Sequence, residues 1–227
     1  MLKLLDENEL QWSAVVANNR MNRKRKASGV NSYEKEMGFR PELWLEQYIR
    51  KHGQVRWLDI CCGEGNAMIE AAQYLAAKGL QDKAVLAGID LVDHFAELPQ
   101  DIRCIQFKTA SVVAGIAGRY DLITCIHGLH YLGDKLKVLE AVFAALSEDG
   151  LFTGNFAVDS IRAERPGIGD HVKTVLKQAG ISYNNRRHMV ECRGTKQISF
   201  GLDYLGADDK AGPNYTGQET VDSWYRF

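Results

Sequence analysis

Two acids, a pair of glycines and two histidines are the residues whose types and spacing could do chemistry. Asp59 lies near the end of the run Val55-Arg-Trp-Leu-Asp-Ile60, and Cys61-Cys-Gly-Glu-Gly65 separates that run from an Ala-rich stretch beginning at Ala67. A buried strand, a glycine turn and a helix together bring backbone N–H groups against a ligand. What the turn lacks narrows the ligand. A dinucleotide-binding turn carries a third glycine where the helix packs under a pyrophosphate, and here that place holds Met68. Asp59 would repel a pyrophosphate, whereas an ammonium group would give it charge-assisted hydrogen bonds. The turn therefore reads as a site for a zwitterionic nucleoside. Asp90 ends the next apolar run, Val85-Leu-Ala-Gly-Ile-Asp90, where a carboxylate can accept from both hydroxyls of a ribose.

At these residues the sequence resembles the class I S-adenosylmethionine-dependent methyltransferases. Their first motif is Asp-x-Gly-x-Gly-x-Gly and their second is an acid ending strand 2. Asp59, Gly63, Gly65 and Asp90 match, while Cys61 replaces the first glycine. The resemblance implies an α/β fold, with a Rossmann-like, seven-stranded, mostly parallel sheet, helices on both faces and a C-terminal antiparallel hairpin. It implies S-adenosyl-L-methionine as cofactor and S-adenosyl-L-homocysteine as product. The expected cofactor contacts are Asp59 near the amino end, the turn residues Cys61, Cys62, Gly63, Gly65 and Asn66, and Asp90 with Leu91. Ala110 and Ser111 follow strand 3, where the family usually places an acid for the adenine amino group. Ser111 could accept that bond, or it could cap the next turn. Cys125, Ile126 and His127 would touch the cofactor beyond strand 4, and Tyr33 would face it from a segment that folds over the site.

The histidines belong to the second informative stretch, Tyr120-Asp-Leu-Ile-Thr-Cys-Ile-His-Gly-Leu-His-Tyr131. Asp121–Cys125 reads as buried strand 4, which places His127 and His130 just beyond the carboxyl edge, where open α/β sheets bind ligands. Either could act as the base that takes a proton from a hydroxyl nucleophile; either could equally be packing around the site. Methyl transfer also proceeds without a base when nucleophile, methyl carbon and sulfur are held in line. Tyr131, Asn155 and Tyr215 are the candidate substrate contacts.

The elements that must position these residues follow from periodicity. Leu2–Val16 predicts one amphipathic helix with Leu5, Trp12 and Val16 near one face, and Pro41–Arg50 predicts a second stopped by Gly53. Strands are expected at 55–60, 85–89, 103–108, 121–125 and 151–156, alternating with helical stretches at 67–77 and 135–146, as in a parallel sheet. Asp93–Pro99 reads as a short helix or loop, Ser147–Gly150 as a turn and His171–Ala179 as a helix. His188–Arg193 and Gln197–Tyr204 would be the last two strands. Residues 1–40 form an N-terminal helix and possible lid, 41–204 the Rossmann-like core and 205–227 a packed tail, all within one domain.

Composition sets the outer limits. The chain has 227 residues, 45% of them hydrophobic, and a net charge of −1, which suits one full core and provides no field attracting nucleic acid or anionic membrane. No run of ~18 apolar residues suggests a membrane span, and Met1–Glu9 carries three acids and no apolar signal core. The cytoplasm is the expected location. Five cysteines without a Cys-x-x-Cys pair predict no metal site. The expected function is methyl transfer to an O, N or C nucleophile of a small molecule, by a monomer or homodimer. Arg20, Arg23, Lys24, Arg25 and Lys26 keep two alternatives open beside the lid: a solvated face, or an arm gripping RNA phosphates in an RNA methyltransferase. A further alternative is a cofactor-binding partner subunit without turnover of its own.

Overall fold

The computed structural model describes residues 3–17 and 24–227. Arg20 and Arg23 of the basic run lie outside the described residues. Two short helices come first, α1 (Glu7–Gln11) and α2 (Ala14–Ala17). Asp6 caps α1 by accepting from the N–H groups of Asn8 and Glu9 at 2.8 Å. The single helix expected here is broken at Trp12–Ser13, and Trp12 stands in solvent instead of sharing an apolar face.

Next come α3 (Tyr33–Met37), capped by Ser32 and stopped by the left-handed Gly38, and α4 (Pro41–His52). Pro41 at the first turn and the left-handed Gly53 set the bounds of α4. The alternating unit follows: β1 (Val55–Ile60), α5 (Asn66–Ala77), β2 (Ala84–Asp90), β3 (Ile105–Thr109), β4 (Tyr120–Cys125), α6 (Lys135–Ala144) and β5 (Leu146–Asn155). Asp93–Pro99 is irregular. The chain ends with β6 (Ile161–Arg162), α7 (Ile168–Gln178), β7 (Ser182–Asn184), β8 (Met189–Arg193), β9 (Asp203–Asp208) and β10 (Asp222–Arg226).

The seven-stranded sheet has the order β3-β2-β1-β4-β5-β8-β7, and a separate three-stranded sheet has the order β6-β10-β9. Pairs among β1 to β5 are parallel, and β8 runs antiparallel to both β5 and β7. The C-terminal hairpin is therefore β7–β8, not 188–193 with 197–204. Gln197–Leu202 is irregular, and β9 pairs with β10 instead. Ser147–Gly150, expected as a turn, falls within β5, where the register against β4 is interrupted between Tyr120 and Leu122.

A parallel sheet covered on both faces needs strands that are apolar on both sides. Trp57, Leu58 and Ile60 of β1 are all fully buried. Leu45, Ile49, Met68 and Leu75 pack on one face with Trp57, while Leu139, Phe143, Phe152 and Val172 pack on the other with Leu58 and Ile60. Each such side chain contributes about 1.5–3 kcal/mol of burial.

The small sheet is pinned to the start of α6. Lys135 is buried and donates from Nζ to Val221 O at 2.6 Å and Ser223 Oγ at 2.9 Å; burial lowers its pKa to about 7. Tyr225 donates to Asp134 Oδ1 at 3.0 Å. Among the described residues, no helix is long and apolar enough to cross a membrane.

Candidate active site

The strand order reverses between β1 and β4, because the chain leaves β1 for β2 and β3 on one side and returns to β4 on the other. Crevices open at the carboxyl ends of strands at such a switch point. One opens here, with about 600 Å³ of empty space including its mouth, lined among others by Cys61, Gly63, Asp90, Leu91, Ile126 and His127.

The backbone shapes the floor. Cys61 adopts φ 57°, a left-handed conformation that costs a side-chain-bearing residue about 1–2 kcal/mol. This is the position where the resembled motif has glycine, and the sulfhydryl is accommodated because Gly128 lies opposite. A Cβ on Gly128 would stand 2.4 Å from Cys61 Cβ. Asp90 ties two loops together, its Oδ2 accepting from Gly63 N–H at 2.9 Å and its Oδ1 from Val92 N–H at 3.2 Å.

Asp59 occupies a different place from the one expected. It does not line the crevice but is fully buried beneath it. Oδ2 accepts from Tyr33 O–H at 2.7 Å and Oδ1 from Thr124 O–H at 2.5 Å, and Thr124 in turn accepts from Trp57 Nε1–H at 2.8 Å. Burial raises the Asp59 pKa to about 7, against the pull of the two hydroxyls. Tyr33 likewise reaches Asp59 from above the sheet without lining the crevice.

The other expected contacts divide in the same way. Cys62, Gly65, Asn66, Ala110 and Cys125 stand back from the crevice. Cys62 and Cys125 are core residues, and Gly65 is pressed by the Phe107 ring, which a Cβ there would meet at 2.2 Å. Ser111 makes no capping bond and borders a smaller adjoining hollow with Leu91 and Tyr131. Tyr131 lines both spaces. Val16, Val92, Gly128 and Leu132 complete the main lining without having been expected. Their apolar types carry no chemical signal in a sequence, and only the fold brings Val16 of α2 there.

Beyond β4 the chain turns sharply at His127, with φ 60°. Asn155, at the end of β5, holds this turn by accepting His127 N–H on Oδ1 at 3.1 Å. Its Nδ2 donates to Glu36 Oε2 at 3.2 Å, and Glu36 Oε1 stands 3.3 Å from His127 Nε2. Arg25 is 3.9 Å from the same carboxylate. Bonding and charge from His127, with help from Asn155 and Arg25, hold the Glu36 pKa down to about 2 despite partial burial. Sequence reasoning missed Glu36, although it lies one helical turn beyond the inward-facing Tyr33, and residues three apart share a helix face.

His130 is buried off the crevice, and desolvation lowers its pKa well below the usual range. Its Nε2 lies 3.4 Å from the Tyr215 hydroxyl. Tyr215 stacks on His188 at 3.9 Å between ring centroids, and His188 is a third strained residue, with φ 49°. Strain of this kind concentrates at functional sites. Among the described residues, no group of three or more His, Cys, Asp and Glu side chains could hold a metal ion, and all five cysteines are free.

The crevice fits S-adenosylmethionine in its donor set. It has one carboxylate at the β2 tip, backbone at Cys61 and Gly63 on the floor, and apolar walls from Leu91, Val92 and Ile126. The chain is similar to several solved methyltransferases. The methyltransferase N-methyltransferase NodS from Bradyrhizobium japonicum WM9, solved with S-adenosyl-L-homocysteine, is 14% identical, with 68% of this chain and 86% of that chain covered and a TM-score of 0.45. The plantazolicin methyltransferase BpumL, solved with a monoazolic desmethyl analogue and S-adenosyl-L-homocysteine, is 20% identical over 59% of this chain, with a TM-score of 0.40; this chain spans about half, 49%, of its length. The CurJ carbon methyltransferase is 14% identical, with 63% and 49% covered and a TM-score of 0.43. No curated protein sequence matches. The model of the methyltransferase domain family matches residues 17–167, which include the crevice-forming strands β1 to β5, and the chain belongs to that family, the class I S-adenosylmethionine-dependent methyltransferases.

Proposed function

We propose that this protein transfers a methyl group from S-adenosylmethionine to an O, N or C nucleophile of a small molecule, by in-line displacement. The observation that carries the small acceptor is the cover over the crevice. Val16 of α2 lines it from the N-terminal side, and Tyr131, which also lines it, is bonded at 3.2 Å to Gln218 of the C-terminal segment. Segments from both ends of the described chain thus come to the rim of the crevice, which supports a small acceptor over a macromolecular one. Arg25 of the basic run is turned inward toward Glu36, its side chain only 13% exposed, which removes it from any phosphate-gripping face. In this reading residues 24–40 serve as a lid.

The donor supplies a methyl group on positively charged sulfur. Asp90 would hold the ribose hydroxyls, Leu91 and Ile126 would flank the adenine, and the Cys61–Gly63 backbone would run beside the methionine portion. Asp59 and Tyr33 stay outside the crevice, their side chains bonded to each other at the end of β1. Tyr131 and Tyr215 border the acceptor, and His127 takes its proton as the new bond forms. Alignment of the reacting atoms contributes most, up to about 7–11 kcal/mol, and a positioned base adds roughly a hundredfold or more.

The test uses purified protein, methyl-labelled S-adenosylmethionine and a cell extract, with label counted by fraction. Label in small metabolites is expected. Label in RNA would transfer the reading to the basic run, and binding of S-adenosylhomocysteine without any labelled product would favour a partner subunit.

A further inference from the structure

We propose that Glu36 is the positioning residue for His127, and that it fixes the imidazole as the Nε2–H tautomer. The inference rests on His127 being the base. Three observations converge on it. His127 lines the crevice, yet its Nε2 is sealed from solvent and has no aligned hydrogen bond, with Glu36 Oε1 3.3 Å away. Such bonds are often long before substrate binds and tighten in the complex. The Glu36 carboxylate is itself held in place: Asn155 Nδ2–H donates to its other oxygen, and Arg187 donates to the Glu36 backbone carbonyl. Finally, Asn155 also accepts the His127 N–H, so one amide holds both the backbone of the base and the carboxylate whose other oxygen faces its ring.

A carboxylate on one ring nitrogen decides which nitrogen carries the proton. With Nε2–H donated to Glu36, the Nδ1 lone pair is left for the acceptor. The proton of the nucleophile X–H passes to Nδ1 while the X–CH3 bond forms and the methyl–sulfur bond breaks, its electron pair remaining on sulfur. The resulting imidazolium is paired with the Glu36 carboxylate. Because Glu36 sits on α3, the base is completed only when that N-terminal segment is seated on the sheet edge. This couples closure over the acceptor to proton acceptance.

The experiment is long-range ¹⁵N–¹H correlation NMR of ¹⁵N-histidine-labelled protein, in the wild type and in Glu36→Ala and Glu36→Gln, recorded in mildly alkaline buffer. The wild type should show a single Nε2–H tautomer for His127, and Glu36→Ala should show averaged signals from both nitrogens. A wild-type Nδ1–H tautomer, or an unchanged spectrum in a folded Glu36→Ala, would overturn the proposal. The wild-type spectrum decides the question even if both variants fail to fold. Calorimetry with S-adenosylhomocysteine on the same samples keeps the two readings apart. Loss of binding by the wild type would defeat the proposed function, whereas Glu36→Ala should bind within about twofold of wild type. Once an acceptor is known, Glu36→Ala should lower kcat by roughly tenfold or more with little change in cofactor KM.

Discussion

Asp59 and Glu36 are two carboxylates on either side of one site, and their surroundings move them in opposite directions. Asp59 is fully buried among neutral donors, and its pKa rises to about 7. Glu36 is half-buried against His127, Asn155 and Arg25, and its pKa falls to about 2. The contrast reflects how each side is built. The side proposed for the cofactor is framed by the tips of β1, β2 and β4 and the turns that follow them, and there the hydroxyls of Tyr33 and Thr124 satisfy the Asp59 carboxylate without opposing charge. The side proposed for the acceptor is assembled from α3, the β4–β5 edge, the turn at His188 and the C-terminal segment. Charge and hydrogen bonds, not a shared strand, join those pieces.

The largest expected effect tests that contrast through pH. Asp59 binds its proton more tightly folded than unfolded, so its contribution to stability is fully present below its unfolded pKa and is lost as pH rises toward 7. The slope is about 1.4 kcal/mol per pH unit while the two states differ by one proton, which sums to roughly 4 kcal/mol. Asp59→Asn keeps the shape and removes the titration. The difference between wild-type and Asp59→Asn urea stabilities should therefore grow steadily between pH 4.5 and 7, in favour of the variant. Glu36 has the opposite sign, its contribution being present above the unfolded pKa and lost as pH falls. A flat Asp59 difference curve would mean that its carboxyl is not the proton-holding group the geometry indicates.

Gly128→Ala comes next. Its new Cβ would meet Cys61 Cβ at 2.4 Å and Cys125 Sγ at 2.9 Å, and a rigid overlap of this kind costs about 3 kcal/mol. At roughly 2–4 °C per kcal/mol for a chain of this size, the Tm should fall by about 6–12 °C. A neutral result would show that the two turns are looser than they stand here.

The cofactor side was largely legible in the sequence for the same reason that it is rigid. Val55–Ile60 declares itself by its apolar run, and Gly63, Asp90 and Ile126 by their places at strand tips, so the crevice follows once the strands do. Asp59 is legible as a strand-end acid, but residue type and spacing do not reveal that Tyr33 and Thr124 bond its oxygens. The acceptor side was mostly illegible. Glu36 meets His127 across a long sequence separation, and no local pattern encodes that meeting. The C-terminal strands failed similarly. Gln197–Tyr204 has strand-like composition, but β9 is set by pairing with β10 near the far end of the chain.

Asp90→Ala should weaken S-adenosylhomocysteine binding by about tenfold, near 1.4 kcal/mol, the loss of a charge-assisted hydrogen bond. It also frees the N–H groups of Gly63 and Val92 from their shared acceptor. Unchanged affinity by calorimetry would remove Asp90 from the ribose and would erase the cofactor side as defined here.

The smallest effect probes the acceptor side alone. Tyr215 reaches His130 with its hydroxyl at 3.4 Å and stacks on His188, yet its side chain does not line the main crevice. Tyr215→Phe keeps the ring and deletes only the oxygen, so the stack survives while the hydroxyl's bond with Asn155 and its long contact with His130 are lost. Desolvation raises the Tyr215 pKa to about 12, so the hydroxyl is neutral at ordinary pH and its removal changes no charge. Affinity for S-adenosylhomocysteine should stay within about twofold, since a neutral hydrogen bond is worth only ~0.5–1.5 kcal/mol and this one does not face the cofactor. The acceptor KM should carry whatever change appears. A tenfold loss of cofactor affinity would instead mean that the C-terminal segment closes on the cofactor as well, and that the two sides form one cooperative unit.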